Sequence, residues 1–215
     1  MSLHLIIGDK LHSSWSLRAA LALELAGASY SEELVWLGQP DSRANLLKHS
    51  PTGKVPLLKT EHGTIADSLA ICEYLAERFP ATALWPEDIA ARAQARSACA
   101  QMHSGFFGMR THMPFDLSRD APLPSVPAEV QADIERMLAL WAECRAAATE
   151  SGAFLFGHIS LADAFFAPIA VRLRTYQVPL PAADEAYVDT VYQWPAFQAW
   201  QKAGLEELDL QEKAQ

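Results

Sequence analysis

The sequence has 215 residues, of which 50% are hydrophobic and 20% charged, so it can bury a sizeable core and is not typical of a disordered chain. Its 17 Lys and Arg residues against 26 Asp and Glu residues leave a net charge of −9, which argues against nucleic acid as a general partner. The three cysteines include no CxxC pair, which predicts neither a disulfide framework nor a zinc ribbon and fits the cytoplasm. The N-terminus has no basic segment followed by an apolar stretch, and no long apolar run occurs, so we expect neither a signal peptide nor a membrane span.

The first 80 residues alternate strand and helix signals. An apolar run at 3–7 ends at Gly8 and predicts a buried strand, and strong helix formers at 17–26 stop at Gly27. The elements predicted after them are a strand at 30–37, a short helix at 41–49, strands at 55–59 and 64–65, and a helix from Asp67 that ends before Pro80. This order predicts a small mixed sheet with helices on both faces, and the segment lacks the glycine-rich motifs of a nucleotide-binding domain.

After Pro80 the pattern becomes helical. Residues 81–88 predict a linker, and the helices predicted beyond it are 90–108, 128–149, 160–177, 184–193 and 195–204. We therefore expect an α/β domain at 1–80, a linker at 81–88 and an all-helical domain at 89–215.

Two serines, Ser13 and Ser14, stand where the first helix begins. Serine is a common N-cap, so capping alone explains them. A helix N-terminus also offers unpaired N–H groups and a partial positive charge, and a hydroxyl there can donate to an anion such as a thiolate. Both interpretations remain open from the residues alone.

A proline within a strand pattern, Pro56 after Val55, also has two interpretations. It marks an edge or bulge, or it forms a cis peptide bond that leaves the backbone of Val55 open to pair with a peptide. Asp67 and Ser68 at another helix start are either caps or a site for a carboxylate and an ammonium group. The Ser160–Asp163 segment predicts a structural capping box.

These four features stand in the order and spacing of a cytosolic glutathione S-transferase, at 13–18, 52–58, 66–71 and 160–163. The resemblance covers the whole chain and is nearest to the serine-type, zeta-like classes. It implies a thioredoxin-like N-terminal domain, an all-α C-terminal domain, a homodimer and glutathione as co-substrate, with no metal. The implied activity is attack of the glutathione thiolate on a small hydrophobic electrophile in detoxification.

The resemblance also implies roles for individual residues. Ser13 would donate to the thiolate, with Ser14 as the alternative, while Val55 before a cis-Pro56 would bind the cysteinyl backbone. The other residues expected to bind glutathione are Trp15, His49, Lys54, Asp67 and Ser68, of which Asp67 and Ser68 would hold the γ-glutamyl group. The residues expected in the second-substrate pocket are His103, Phe106, Phe107 and Arg110.

Other activities of the same family remain open. A maleylacetoacetate-type isomerase would need cationic groups for its dicarboxylate substrate, and Arg110, Arg172 and Arg174 are candidates. Two departures count against it: Trp15 replaces the cysteine of the zeta motif, and Thr175 stands where that class has arginine. A thiol reductase is disfavoured because no cysteine occupies the helix start, and a non-enzymatic glutathione-binding module is a further alternative.

Overall fold

The computed structural model describes residues 3–213, and of residues 209–213 it describes the backbone alone. Within this range, the first half contains four strands and three helices. In chain order these are β1 (Leu3–Gly8), α1 (Ser14–Leu25), β2 (Tyr30–Val35), α2 (Ser42–Leu47), β3 (Leu57–Thr60), β4 (Gly63–Ala66) and α3 (Ser68–Arg78), followed by a 3₁₀ turn at Pro80–Thr82.

The sheet has the order β2-β1-β3-β4, with β1 parallel to β2 and antiparallel to β3. Leu5 and Ile7 of β1 point into the main core, whereas Ile6 belongs to a smaller cluster on the other face with Leu46 of α2. This alternation follows from the period of two along a strand. The predicted mixed sheet with helices on both faces is therefore confirmed.

The second half contains six helices within the described residues. These are α4 (Ile89–Ser104), α5 (Phe107–His112), α6 (Ala128–Ala147), α7 (Leu161–Thr175), α8 (Ala182–Gln193) and α9 (Pro195–Lys213). Helix α7 is buried except at Arg174, which fits an apolar helix at the centre of a helical domain. The predicted capping box at its start is present: the Ser160 side chain accepts from the backbone N–H of Asp163, and the Asp163 side chain accepts from the backbone N–H of Ser160.

The single helix predicted at 90–108 is wrong, because the chain breaks between α4 and α5. Gly105 is extended and Phe106 has a left-handed φ of 59°. A Cβ at Gly105 would lie 2.9 Å from the carbonyl oxygen of Gln101, so a side chain does not fit at this break. The break reorients the residues that follow it.

The two halves share one hydrophobic cluster, since apolar residues of β1, α1 and α3 pack in it together with residues of α4, α6 and α7. The boundaries at residues 80 and 88 therefore stay a prediction, and residues 1–2 and 214–215 lie outside the described range. Among the described residues, no helix combines the length and apolarity required to cross a membrane.

Candidate functional site

A cleft of about 780 Å³ opens where α1, the α2–β3 connection, α3 and α4 meet. It is lined by His12, Ser13, Trp15, Leu37, Leu46, Thr52, Gly53, Lys54, Val55, Pro56, Ala66, Asp67, Ser68 and His103. A second groove of about 810 Å³ between α1, α8 and α9 has Glu24 as the one ionisable side chain among the described residues that line it. The first cleft, rich in polar groups that converge, is therefore the candidate site.

Helix α9 holds the loop that leads into α1. Glu207 accepts a hydrogen bond of 2.6 Å from the backbone N–H of Lys10, and the indole N–H of Trp200 donates to the carbonyl of Lys10 at 3.1 Å. Burial raises the pKa of Glu207, although the nearby Lys10 opposes this shift. The loop before Ser13 is thus fixed by a helix almost 200 residues away in the sequence.

The structure separates the two serine candidates. Ser13 is the N-cap of α1, and its Oγ accepts from the N–H of Ser16 at 3.3 Å and donates to Ser16 Oγ at 2.7 Å. Ser13 lines the cleft, while Ser14 lines a different, smaller cavity. Ser13 can therefore both cap α1 and face a ligand in the cleft, since its hydroxyl lies at the N-terminal end of the helix.

The peptide bond between Val55 and Pro56 is cis, as the resemblance implies. Strand β3 begins only at Leu57, two residues later than predicted, which fits the missing N–H of proline. Among the described residues, no hydrogen bond uses the N–H or the carbonyl of Val55. An extended peptide in the cleft could pair with this backbone.

Asp67 is the N-cap of α3 and has a φ of 87° with a ψ of 134°, a positive-φ conformation outside the αL region that strains a residue with a side chain. Its Oδ1 accepts from the N–H of Leu69 at 2.8 Å, which leaves Oδ2 towards His103 at 3.2 Å. Ser68 follows, fully buried, and its Oγ has no partner among the described residues. A buried hydroxyl without a partner on a cleft wall is suited to bind a ligand.

His103 of α4 reaches the first cleft, where it contacts Trp15 edge to face with 5.2 Å between ring centroids. Burial lowers the pKa of His103, and Asp67 partly opposes this shift. Phe106 and Phe107, both expected beside His103, lie elsewhere. Phe106 is buried under Arg136 and Phe107 is largely exposed, because the break at Gly105 turns both rings away from the cleft.

His49, expected to bind glutathione, does not line the cleft. Its Nε2 lies 3.2 Å from Glu33, and its Nδ1 lies 3.3 Å from the Lys59 ammonium group. These partners hold the ring against the sheet, so we remove His49 from the candidate site. Lys54 does line the cleft and is exposed there.

A second cavity of about 370 Å³ adjoins the cleft and shares His12 and Trp15 with it. It is lined by His12, Ser14, Trp15, Arg18, Arg110, Pro114, Phe115 and Arg172. The guanidinium groups of Arg18 and Arg110 lie 4.4 Å and 4.9 Å from the Trp15 ring. Three arginines from α1, α5 and α7 thus line one cavity, which we call the arginine cavity.

No carboxylate among the described residues pairs with these arginines. Arg18 is 1% exposed, and its Nε and Nη1 have no hydrogen-bond partner within the described part of the chain. Burial, with the charges of Arg110 and Arg172, lowers the pKa of Arg18 to about 9. Arg172 donates to the carbonyl of Met113 at 2.8 Å, and burial lowers its pKa to about 10. Asp133 partly offsets the charge of Arg110 without contacting it, and a positive cluster with no carboxylate in direct contact is suited to an anionic ligand.

The sequence predicted Arg110 and Arg172 as cationic candidates, favoured a structural role for Arg18 and missed His12. Arg174, also named there, pairs instead with Asp189 outside the cavity. Arg18 lies within an apolar helix next to the serines, and a charged residue at a core-facing position was the available signal. His12 immediately precedes the serines and carried no separate pattern.

The three cysteines are buried and free. Burial raises the pKa of all three thiols, that of Cys144 to about 12, so they stay protonated near neutral pH. Among the described residues, no cluster of three His, Cys, Asp or Glu side chains could hold a metal ion. Any reactive thiol in the cleft therefore comes with a ligand.

Two family models match the chain. The model of the glutathione S-transferase N-terminal domain matches residues 12–78, and that of the glutathione S-transferase C-terminal domain matches residues 111–203. Together they cover most of the sequence and both halves of the fold.

Curated relatives and solved structures agree with the models. A probable maleylacetoacetate isomerase of Caenorhabditis elegans is 37% identical over 43% of this chain and 44% of its own length, so less than half of that relative is matched. A maleylpyruvate isomerase of Ralstonia is 27% identical over 80% of this chain and 85% of its own. A glutathione transferase homolog from Burkholderia, solved with bound glutathione, has a TM-score of 0.72 and 24% identity over 96% of this chain and 99% of its own, which shows the same fold.

Proposed function

Because the chain belongs to the glutathione S-transferase family, we propose that it binds glutathione in the cleft and activates the thiol for attack on a small electrophile. One observation supports this most strongly: Ser13, the open backbone of Val55 and the pair Asp67 and Ser68 line the same cleft. Each has another explanation alone. Together they match the sulfur, the peptide backbone and the charged γ-glutamyl end of a single tripeptide.

The chemistry follows from these positions. The Val55 backbone would pair with the cysteinyl unit, and Asp67 and Ser68 would bind the ammonium and carboxylate groups of the γ-glutamyl end. The sulfur would then lie at the N-terminus of α1, where the helix dipole favours a thiolate. The Ser13 hydroxyl, which donates to Ser16 in the structure, would turn about its C–O bond to donate to the sulfur.

Replacing Asp67 by asparagine tests the glutathione site without removing the helix cap. Asparagine caps helices as well as aspartate and tolerates a positive φ, but it cannot pair with an ammonium group. Since a hydrogen bond to a charged group contributes about 1.5–3 kcal/mol, we expect the dissociation constant for glutathione to rise at least about tenfold in calorimetry.

The matched control is Asp88→Asn, which changes the N-cap of α4 away from the cleft. It should leave glutathione binding unchanged. If the unmodified protein does not bind glutathione at all, the proposed function is wrong and a non-enzymatic role is favoured.

The arginine cavity supports a second candidate function, a glutathione-dependent isomerase of an unsaturated dicarboxylate. Glutathione thiolate would add to the cis double bond, the new single bond would rotate, and loss of the thiolate would restore a trans double bond. Arg18, Arg110 and Arg172 would bind the substrate carboxylates beside the sulfur. The relatives named as isomerases agree with this candidate.

Replacing Arg110 by glutamine tests the isomerase. The variant should raise KM for maleylacetoacetate or maleylpyruvate at least about tenfold, because a charge-assisted hydrogen bond to the substrate is lost. Conjugation of a neutral aryl chloride should change less than about twofold. Arg174→Gln, on α7 but outside the cavity, is the control. No turnover of either substrate by the unmodified protein would exclude this candidate.

A homodimer, a cytoplasmic location and a role in detoxification complete the proposal. Large apolar side chains remain exposed on the helical half, with Ile89 at 75% and Phe107 at 68%. Such side chains are suited to burial against a second copy of the chain.

A further inference from the structure

The loop before α1 contains a histidine–aspartate pair beside Ser13. His12 Nδ1 lies 2.8 Å from Asp9 Oδ1, which also accepts from the backbone N–H of His12 at 3.0 Å. Asp9 is 2% exposed, whereas the His12 side chain is about half exposed. A buried carboxylate thus holds an imidazole that faces open space.

The hydrogen bond to Asp9 determines which ring nitrogen carries the proton. An ionised carboxylate only accepts, so Nδ1 of neutral His12 is the protonated nitrogen and Nε2 keeps its lone pair. Among the side chains of residues 3–208 and the backbone of residues 3–213, no group forms a hydrogen bond with Nε2. The ring is therefore oriented as a proton acceptor.

His12 lies between the space for the glutathione thiol and the space for the second substrate. It lines the cleft that contains Ser13 and also the cavity that contains the three arginines, and Trp15 is the one other described residue shared by both. The ionisable groups that line these spaces with it are Lys54, Asp67, His103, Arg18, Arg110 and Arg172, besides Asp9 on its own loop. The arginines stay protonated near neutral pH, and Asp67 already contacts His103 at 3.2 Å.

We propose that His12 is a catalytic acid–base residue of the glutathione site and that Asp9 is its positioning residue. This inference rests on the proposed function. Nε2 accepts the proton of the glutathione thiol, and the electron pair of the S–H bond stays on sulfur as the thiolate, which receives the hydrogen bond from Ser13. The thiolate forms the bond to carbon. In an addition the imidazolium returns its proton to the carbanion, and in displacement of chloride the chloride leaves with the electron pair of the C–Cl bond and the imidazolium releases its proton to solvent. Asp9 stabilises the imidazolium between the two steps.

The main test is His12→Gln, which keeps a polar side chain of similar size but cannot carry a proton. We expect kcat for conjugation of an aryl chloride at neutral pH to fall about 10²-fold, with an unchanged dissociation constant for glutathione. The deficit should shrink at alkaline pH, where hydroxide removes the thiol proton, and the fall in rate of the unmodified protein at low pH should disappear. The control is His112→Gln, since His112 also pairs with a carboxylate, Glu129 at 3.1 Å, but lines neither cavity.

Asp9→Asn tests the positioning role, because asparagine still accepts from the backbone N–H of His12. The ring of His12 then loses the acceptor that orients Nδ1–H, so kcat should drop about tenfold while the dissociation constant for glutathione stays unchanged.

The outcomes separate this inference from the proposed function. A His12→Gln variant with normal kcat and pH profile overturns the inference alone, provided that glutathione binds and Ser13→Ala loses rate. A lower kcat with an unchanged pH profile also overturns it, because a merely structural role would produce that pattern. Failure of the unmodified protein to bind glutathione overturns both.

Discussion

Replacing Ser13 by alanine is expected to lower the rate of glutathione conjugation about 10²-fold at neutral pH, because one preorganised donor to the thiolate is lost. The pKa of the bound thiol should rise, so the rate of the variant should recover as pH increases. Steady-state kinetics across pH, together with ultraviolet absorbance of the bound thiolate, measure both effects. The variant also loses the N-cap of α1, which costs about 1 kcal/mol of stability, so its unfolding is measured in parallel.

Ser14→Ala decides between the two serines. Ser14 is buried at the first position of α1 and lines the arginine cavity instead of the cleft. We expect Ser14→Ala to change the conjugation rate of a neutral electrophile less than about threefold, since Ser13 is intact and still donates to the sulfur. A large loss for Ser14→Ala with a normal rate for Ser13→Ala would reverse the assignment.

Replacing Asp163 by alanine is expected to have the largest effect on stability. The fully buried carboxylate accepts from the N–H groups of Ser160 and Leu155 at 2.8 Å and 3.2 Å. The hydroxyl of Tyr187 also donates to it at 3.1 Å. Alanine leaves these buried donors without an acceptor, so we expect the free energy of unfolding to fall by about 3 kcal/mol in urea titration. The control is Asp189→Ala, which removes an exposed ion pair with Arg174 and should cost less than about 1 kcal/mol.

The stability lost in Asp163→Ala should depend on pH. Burial raises the pKa of Asp163 to about 6, above the value of an unfolded aspartate, although its hydrogen bonds oppose the shift. The folded state therefore binds the proton more tightly, and this contribution to stability is full below the unfolded pKa and is lost as pH rises through about 6. The difference between the unmodified protein and Asp163→Ala should widen as pH falls from 7 towards 4. A difference that narrows over this range would contradict the direction of the shift.

Much of the fold was predictable because its signals act over a few residues. Gly27 ends α1, Asp67 caps α3, and the Ser160–Asp163 box begins α7 in the structure as in the sequence. Caps and strand alternation depend on neighbours within one turn or one pleat, so they can be identified without a tertiary structure. The helix break at Gly105 was missed because the residues before it favour a helix and part of the crowding, besides that from the Gln101 carbonyl, comes from Arg136 on another helix.

By itself, the sequence determined the order of strands and helices except for the separate helix α5, the cis-proline candidate and the serine at the start of α1. The tertiary structure alone decided which side chains share a cavity. Arg18, Arg110 and Arg172 from three helices line one cavity, and His12 lines both that cavity and the cleft. Phe106, Phe107 and His49 line neither. The physical reason is distance along the chain. Caps and periodicity are local properties, whereas a cavity is formed by packing segments that are tens to hundreds of residues apart, and no local pattern records that packing.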